Sequence, residues 1–137
     1  MARTARTSFE KSRLELRQAG NMLDQQAGPV VEGRFREKKF VKKAGRLASR
    51  GLLRAANAYL VTKGFEPLDL VYHPSFQFDK RFSGVPSEQL RTFDSAYRLL
   101  YLSGGHDGCL VASIQQSGLQ MARCMVDWFE EYQGSSG

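Results

Sequence analysis

The chain has 137 residues, the length of one typical domain, and its 42% hydrophobic content excludes a disordered polypeptide. Its net charge of +6 at pH 7 is compatible with a polyanionic partner such as nucleic acid, and equally with an ordinary basic soluble protein. No apolar stretch approaches the roughly 20 residues of a membrane-spanning helix, and the basic N-terminus lacks the apolar run of a secretory signal. We therefore expect a cytoplasmic protein with one domain over residues 1–133 and a flexible tail over residues 134–137, without a membrane partner.

The first half of the chain carries the apolar spacing of two long helices. Apolar residues three to seven apart predict a first helix over residues 7–26, which the Gly28-Pro29 pair ends. A second, longer helix is predicted over residues 35–63. Because its apolar face is rich in alanine and glycine, we expect a neighbouring helix to cross it closely near residues 48–55.

Residues 65–85 are the least regular part of the sequence, because Pro67 and Pro74 interrupt any long helix. Aromatic side chains are dense here, namely Phe65, Tyr72, Phe76, Phe78 and Phe82. Two interpretations stay open: a lid whose rings cap the core, or a contact surface for another chain. A short helical turn is predicted over residues 76–81.

Two further helices follow, joined by an elbow that contains Gly104, Gly105 and Gly108. The third helix is predicted from residue 86 to about residue 103, with Asp94 among the residues of its outer face. Asp107 stands where it would cap the fourth helix. The polar face expected to point outward from the fourth helix comprises Ser113, Gln115, Gln116, Gln120 and Arg123, and its acidic end, Asp127, Glu130 and Glu131, is expected to pair with the basic second helix.

Together the four predicted helices favour an all-α, antiparallel four-helix bundle with an irregular segment between the second and third helices. Cys109 and Cys124 lie on the same predicted helix, where a separation of about 22 Å excludes a disulfide. We expect both to be buried free thiols. No cluster of cysteine and histidine and no cofactor motif occurs, so no metal site and no cofactor are expected.

The elbow and its flanking helices carry a distinctive pattern. AYRLLYLSGGHDG, followed by a helix that contains Gln116-Ser117-Gly118-Leu119 and ends in MVDWF, resembles a small family of uncharacterised bacterial proteins, a domain of unknown function. The segment FVKKAGRLASRGLLRAANAYL also looks like the second helix of that family, so the resemblance covers about residues 7–129. It implies an architecture similar to HEPN-like bundles, a broad class of helical domains associated with nucleotides and RNA.

HEPN ribonucleases carry an arginine and a histidine near a helix end, with four to six residues between them, that act on an RNA phosphate across a dimer. The nearest pair in this sequence is Arg98 and His106, with seven residues between them, so the spacing departs from that motif. A divergent ribonuclease that uses Arg98 and His106 is one functional hypothesis. A structural subunit of a larger protein assembly is another.

The strongest functional pattern in the residues themselves is a basic face on the second helix. Its members recur three or four residues apart: Lys39, Lys43, Arg46, Arg50 and Arg54. Such a face can neutralise several phosphates with strong salt dependence, or it can be a solvated face whose charges pair with acidic neighbours. Our first hypothesis is a non-enzymatic, self-associating module, such as a homodimer, that contacts RNA or another acidic partner through these residues.

Overall fold

The computed structural model describes residues 2–69 and 76–133, with side chains from Ala5 onward. Four α-helices form most of this part of the chain: α1 (Ala2–Met22), α2 (Lys38–Thr62), α3 (Ser87–Tyr97) and α4 (Ala112–Tyr132). Two π-helical segments continue α1 over Leu23–Ala27 and α3 over Arg98–His106, and a 3₁₀ turn spans Lys80–Phe82. Within the described ranges no strand forms, and Arg34 and Val111 make an isolated β-bridge. The predicted all-α, antiparallel four-helix bundle is confirmed.

Contacts along the helices fix their directions. Arg13 of α1 meets Asp127 of α4, while Gly20 lies against Leu119, so α1 and α4 run antiparallel. By contrast, α2 and α4 are parallel, because Thr62 at the end of α2 lies beside Gln133 at the end of α4.

The core is aromatic at the end where residues 76–85 close it. The ring of Phe76 stacks on Phe93 with centroids 4.2 Å apart, and Phe82 meets Phe76 edge-on at 5.8 Å. These two rings therefore act as the predicted lid. Phe78 is 88% exposed and Phe65 is also exposed, so these two side chains fit the alternative interpretation, a contact surface. Tyr72 and Pro74 lie outside the described residues.

Close helix crossings occur where α2 carries glycine. At Gly51, inside the predicted range 48–55, an added Cβ would lie 3.1 Å from the carbonyl oxygen of Ser12, whose hydroxyl donates to Gly51 O at 2.6 Å. A second and closer crossing lies outside that range. There a Cβ on Gly45 would overlap the backbone of Leu100 and Gly105.

The elbow differs from its prediction. The backbone of α3 passes into the π-helix through Gly104 and Gly105, and only afterwards does Gly108 take a positive φ of 63°. Asp107 does not cap α4, which begins at Ala112. The reason is that the preceding residues are held extended, since Phe35 N donates to Leu110 O at 2.7 Å.

Cys109 consequently precedes α4 instead of lying on it and is half-buried, and Cys124 is exposed, so neither thiol is buried as predicted. Both thiols are free. Across residues 2–69 and 76–133, no cluster of three or more His, Cys, Asp or Glu side chains is arranged to hold a metal ion. In the same ranges, none of the helices combines the length and the apolar character needed to cross a bilayer.

Two polar residues expected on outer faces are buried. Gln115, 1% exposed, lies against Gly104 and its amide donates to Cys109 O at 3.4 Å. Asp94 is buried too, because its carboxylate accepts from the backbone N–H of Phe76 at 3.3 Å and thereby anchors the lid.

The acidic end of α4 contacts α1 instead of the basic second helix. The Arg13 guanidinium reaches Asp127 and Glu130, each at 2.8 Å. Burial alone would lower the pKa of Arg13, but its hydrogen bonds to these two carboxylates outweigh that effect and raise the pKa. Asp127 and Glu130 are therefore ion-pair partners as predicted, but their cation is Arg13 of α1 and not a residue of the second helix.

Candidate polyanion-binding site

Four cations form one exposed row on α2. Lys39, Lys43, Arg46 and Arg50 are all exposed, and their spacing of three or four residues places them on one face over about 16 Å of helix. We call these four residues the cationic row. The Nζ atoms of Lys39 and Lys43 lie over the Phe40 ring, 5.0 Å and 5.6 Å from its centroid, so this ring supports the stems of both lysines.

Arg54, the fifth predicted member of the basic face, has a different role. Its Nε lies 2.6 Å from Glu15 Oε1, and its Nη2 lies 3.4 Å from Glu15 Oε2. The two side chains are 26% and 10% exposed, so the pair is largely withdrawn from water. Arg54 therefore neutralises a buried carboxylate of α1 and is not available to a ligand.

Arg46 and Arg50 differ from Arg54 in their pairing, because no carboxylate of the described ranges forms an ion pair with either of them. Both line a cavity of about 290 Å³ between α2 and the second π-helical segment. Its lining comprises Arg46, Ser49, Arg50, Leu53, Tyr101, Gly105 and His106. We call this cavity the cationic pocket. Guanidinium groups without carboxylate partners at a cavity are suited to bind phosphate or carboxylate oxygens in a forked geometry.

His106 lies at the mouth of the cationic pocket. Its Nδ1 is 2.8 Å from Asp107 Oδ1, and the His106 side chain is 76% exposed. When Nδ1 donates its proton to that carboxylate, Nε2 is left for an incoming group. Asp107, the predicted helix cap, therefore acts on the candidate site instead, because it orients His106.

One wall of the pocket is the π-helical segment that continues α3, which contributes Tyr101, Gly105 and His106. A π-helix is rare, and where it occurs it often marks a functional site. In this segment Gly105 lies so close to α2 that an added Cβ would be 3.1 Å from the Cγ of Arg46. The glycine contacts of Gly45 and Gly105 thus set the distance between the wall that carries Arg46 and the wall that carries His106.

Arg98, the second residue of the ribonuclease hypothesis, is not among the residues that line the cationic pocket. Its Nε donates to Asp94 Oδ2 at 3.2 Å, one turn earlier on the same helix. The structure thus brings His106 together with Arg46 and Arg50 of α2, and it places Arg98 beside the carboxylate that anchors the lid.

Sequence reasoning missed four pocket residues: Ser49, Leu53, Tyr101 and Gly105. Helical spacing assigned Tyr101 to the core, where its ring does stack on Tyr97 with centroids 5.2 Å apart. Tyr101 is half-buried and also lines the cavity. Only the distance between α2 and the π-helix reveals this second surface, and no spacing in the sequence encodes it.

The comparisons with known proteins agree with the predicted resemblance at the level of the family. A family model described as "Domain of unknown function (DUF5618)" matches residues 7–131. The chain belongs to this family. It is also similar to a solved structure, a protein of unknown function from Dyadobacter fermentans, at 27% sequence identity and a TM-score of 0.75. The match covers 93% of this chain and 96% of that chain. No curated protein matches.

Proposed function

We propose that this DUF5618 protein is a binding module that docks single-stranded RNA along the cationic row of α2 and holds part of the strand in the cationic pocket. The observation that carries the proposal is the pair Arg46 and Arg50, two exposed guanidiniums without described carboxylate partners at one cavity. Guanidinium groups without a carboxylate partner gain more binding free energy from phosphate oxygens than cations that are already paired, such as Arg54.

The row favours a strand over a single small anion. Four cations over about 16 Å of helix match an extended ligand with repeated charges. Tyr101 adds an aromatic surface beside the arginines, and aromatic rings bind unpaired bases by stacking. A duplex does not expose its base faces, so this surface favours a single strand.

The test is titration of a fluorescently labelled, mixed-sequence 12-nucleotide RNA with the wild type and with the R46E/R50E variant. We expect the variant to lose at least tenfold in affinity, because two attractive contacts become repulsive. The matched control is K80E/R91E, which makes the same change of charge at two exposed residues outside α2 and the π-helix. Equal losses in both variants would mean that only the net charge matters, and the proposed interface would be wrong.

The integrity of the RNA is read on the same samples, which tests the alternative activity. Cleavage that is abolished by H106A would favour the divergent ribonuclease hypothesis with His106 as its acid–base group. We expect intact RNA. The HEPN-like resemblance, the homodimer and the structural-subunit hypothesis stay predictions, and the proposed function does not depend on any of them.

A further inference from the structure

The cationic pocket has two kinds of lining that a bare strand of phosphates would not use together. Arg46, Arg50 and His106 supply positive or hydrogen-bonding groups. Leu53, which is buried, and the half-buried Tyr101 supply apolar and aromatic surface. A ligand that satisfies both linings combines an anionic group with a flat, weakly polar ring.

The charged lining fits a terminal phosphate better than an internal one. Two arginines can each offer a forked pair of donors to phosphate oxygens, and the imidazolium form of His106 adds an Nε2–H donor, since its Nδ1 contacts Asp107. A phosphate monoester carries close to two negative charges near neutral pH and has three oxygens to accept such donors. An internal phosphodiester carries one charge and has two free oxygens, so it leaves part of this donor set unused.

The shape of the site points the same way. A volume of about 290 Å³ is near the lower limit of small-molecule pockets, so it suits one nucleotide and not several. A strand end can enter such a cavity with the rest of the chain leaving on one side. The cationic row then offers the path for the following phosphates, because Lys43 and Lys39 continue from Arg46 along the same face of α2.

We propose that the cationic pocket binds a 5′-terminal nucleotide, with its phosphate monoester on Arg46 and Arg50 and its base stacked on Tyr101. This inference rests on the proposed function, because the same two arginines also belong to the cationic row. The chemistry is shared by two sources, the 5′-phosphorylated end of an RNA strand and a free nucleoside 5′-monophosphate. Tyr101 is held for stacking by Tyr97, whose ring lies nearly parallel to it at an interplanar angle of 17°.

The test compares two labelled 12-nucleotide RNAs of identical sequence, one with a 5′-phosphate and one with a 5′-hydroxyl, labelled at the 3′ end. We expect the wild type to bind the phosphorylated strand about tenfold more tightly, and the R46Q/R50Q variant to lose that preference. Competition with adenosine 5′-monophosphate, adenosine and inorganic phosphate separates the sources. Displacement by the monophosphate at low concentration, with no preference between the two strands, assigns the pocket to the free nucleotide and still supports the inference.

A pair of substitutions tests the role of Tyr101. Tyr101→Leu keeps an apolar side chain and removes the stacking surface, so it should weaken binding of the 5′-phosphorylated strand by about tenfold. Tyr101→Phe keeps the ring and should retain most of the affinity. Thermal unfolding of both variants shows whether the fold is intact. A loss of stability shared by both would be assigned to the missing hydroxyl, and one confined to Tyr101→Leu to the stacking contact with Tyr97.

The outcomes separate this inference from the function on which it rests. Equal affinity for the two strands, no displacement by the monophosphate, and loss of binding in R46Q/R50Q would overturn the inference and leave RNA docking in place. Displacement by inorganic phosphate as strong as by the nucleotide would also overturn it, since the base would then contribute nothing. Absence of RNA binding at low salt would overturn both.

Discussion

At the scale of single residues, two glycines and one ion pair decide how the site is built. Gly45 allows the backbone of the π-helix to approach α2, and Gly105 does the same from the other side. Arg54, by contrast, is withdrawn from solvent by Glu15, although its spacing along α2 is the same as that of the exposed cations. Identical spacing thus yields one buried structural pair and two arginines that are free to bind.

Gly45→Ala should destabilise the protein strongly. Its methyl group would overlap backbone atoms of Leu100 and Gly105, which cannot rotate away as a side chain would. We expect a loss of about 2 kcal/mol or more in the free energy of unfolding, because overpacking outweighs the gain in helix propensity. The control is Gly20→Ala in α1, where the methyl meets the mobile end of Arg123 at 3.1 Å. Urea unfolding should show this control unchanged or slightly stabilised, and a comparable loss in both would contradict the close crossing.

Arg54→Gln separates structural charge from binding charge. The Glu15 carboxylate would lose its charged donor while remaining largely buried, so we expect a loss of about 1–3 kcal/mol in the free energy of unfolding. RNA affinity should fall less than in the Arg50→Gln variant, which we expect to unfold like the wild type. Urea unfolding and RNA titration of these two variants check both statements. A larger affinity loss in Arg54→Gln would return Arg54 to the interface.

At the scale of elements, the sequence predicted most of the fold and little of the site. Apolar periodicity located all four helices, because packing against one core requires it. The start of α4 was missed, since backbone contacts to Gly33 and Phe35 hold residues before Ala112 extended. These contacts are distant in sequence and leave no local pattern. The π-helix was missed for the same reason, since it accompanies the close approach of α2 at Gly45, a contact distant in sequence. The composition of the π-helical segment is that of an ordinary α-helix.

Aromatic contacts join the parallel helices α2 and α4 near their ends. One of the rings is Tyr59, and its ionisation should lower the stability of the protein at alkaline pH. Tyr59 lies 5.2 Å from Phe129 and 5.7 Å from Trp128, ring centroid to centroid. Burial raises the pKa of Tyr59 in the folded protein. The unfolded chain therefore loses this proton first, so the contribution of Tyr59 is complete below pH of about 10 and is lost as the pH rises through the folded-state value.

Urea unfolding of the wild type and Tyr59→Phe at pH 8 and pH 10.5 measures this contribution. The other tyrosines and the lysines titrate in both proteins, so their effect cancels in the difference. We expect the wild type to lose more stability between the two pH values than the variant. Equal losses would mean that Tyr59 ionises as easily in the folded protein as in the unfolded chain.

At the scale of the whole molecule, exposed aromatic surface bears on self-association. Phe78 is 88% exposed beside the lid residues Phe76 and Phe82, so its ring contributes little to the folded monomer. We expect the wild type to sediment as a dimer at micromolar concentration and Phe78→Ser to sediment as a monomer with an unchanged melting temperature. A Phe65→Ser variant tests the other exposed ring of the segment. Monomeric wild type would remove the contact-surface interpretation of residues 65–85.

The cationic row should bind RNA as a set of phosphate contacts, and the salt dependence of wild-type binding tests this most directly. Each phosphate contact to a single strand contributes about −0.7 to the slope of log affinity against log salt concentration, so four contacts predict a slope of about −3. The R46Q/R50Q variant should lose about half of that slope, whereas K80Q/R91Q should retain all of it. A wild-type slope near zero, or the same slope in all three proteins, would contradict the account.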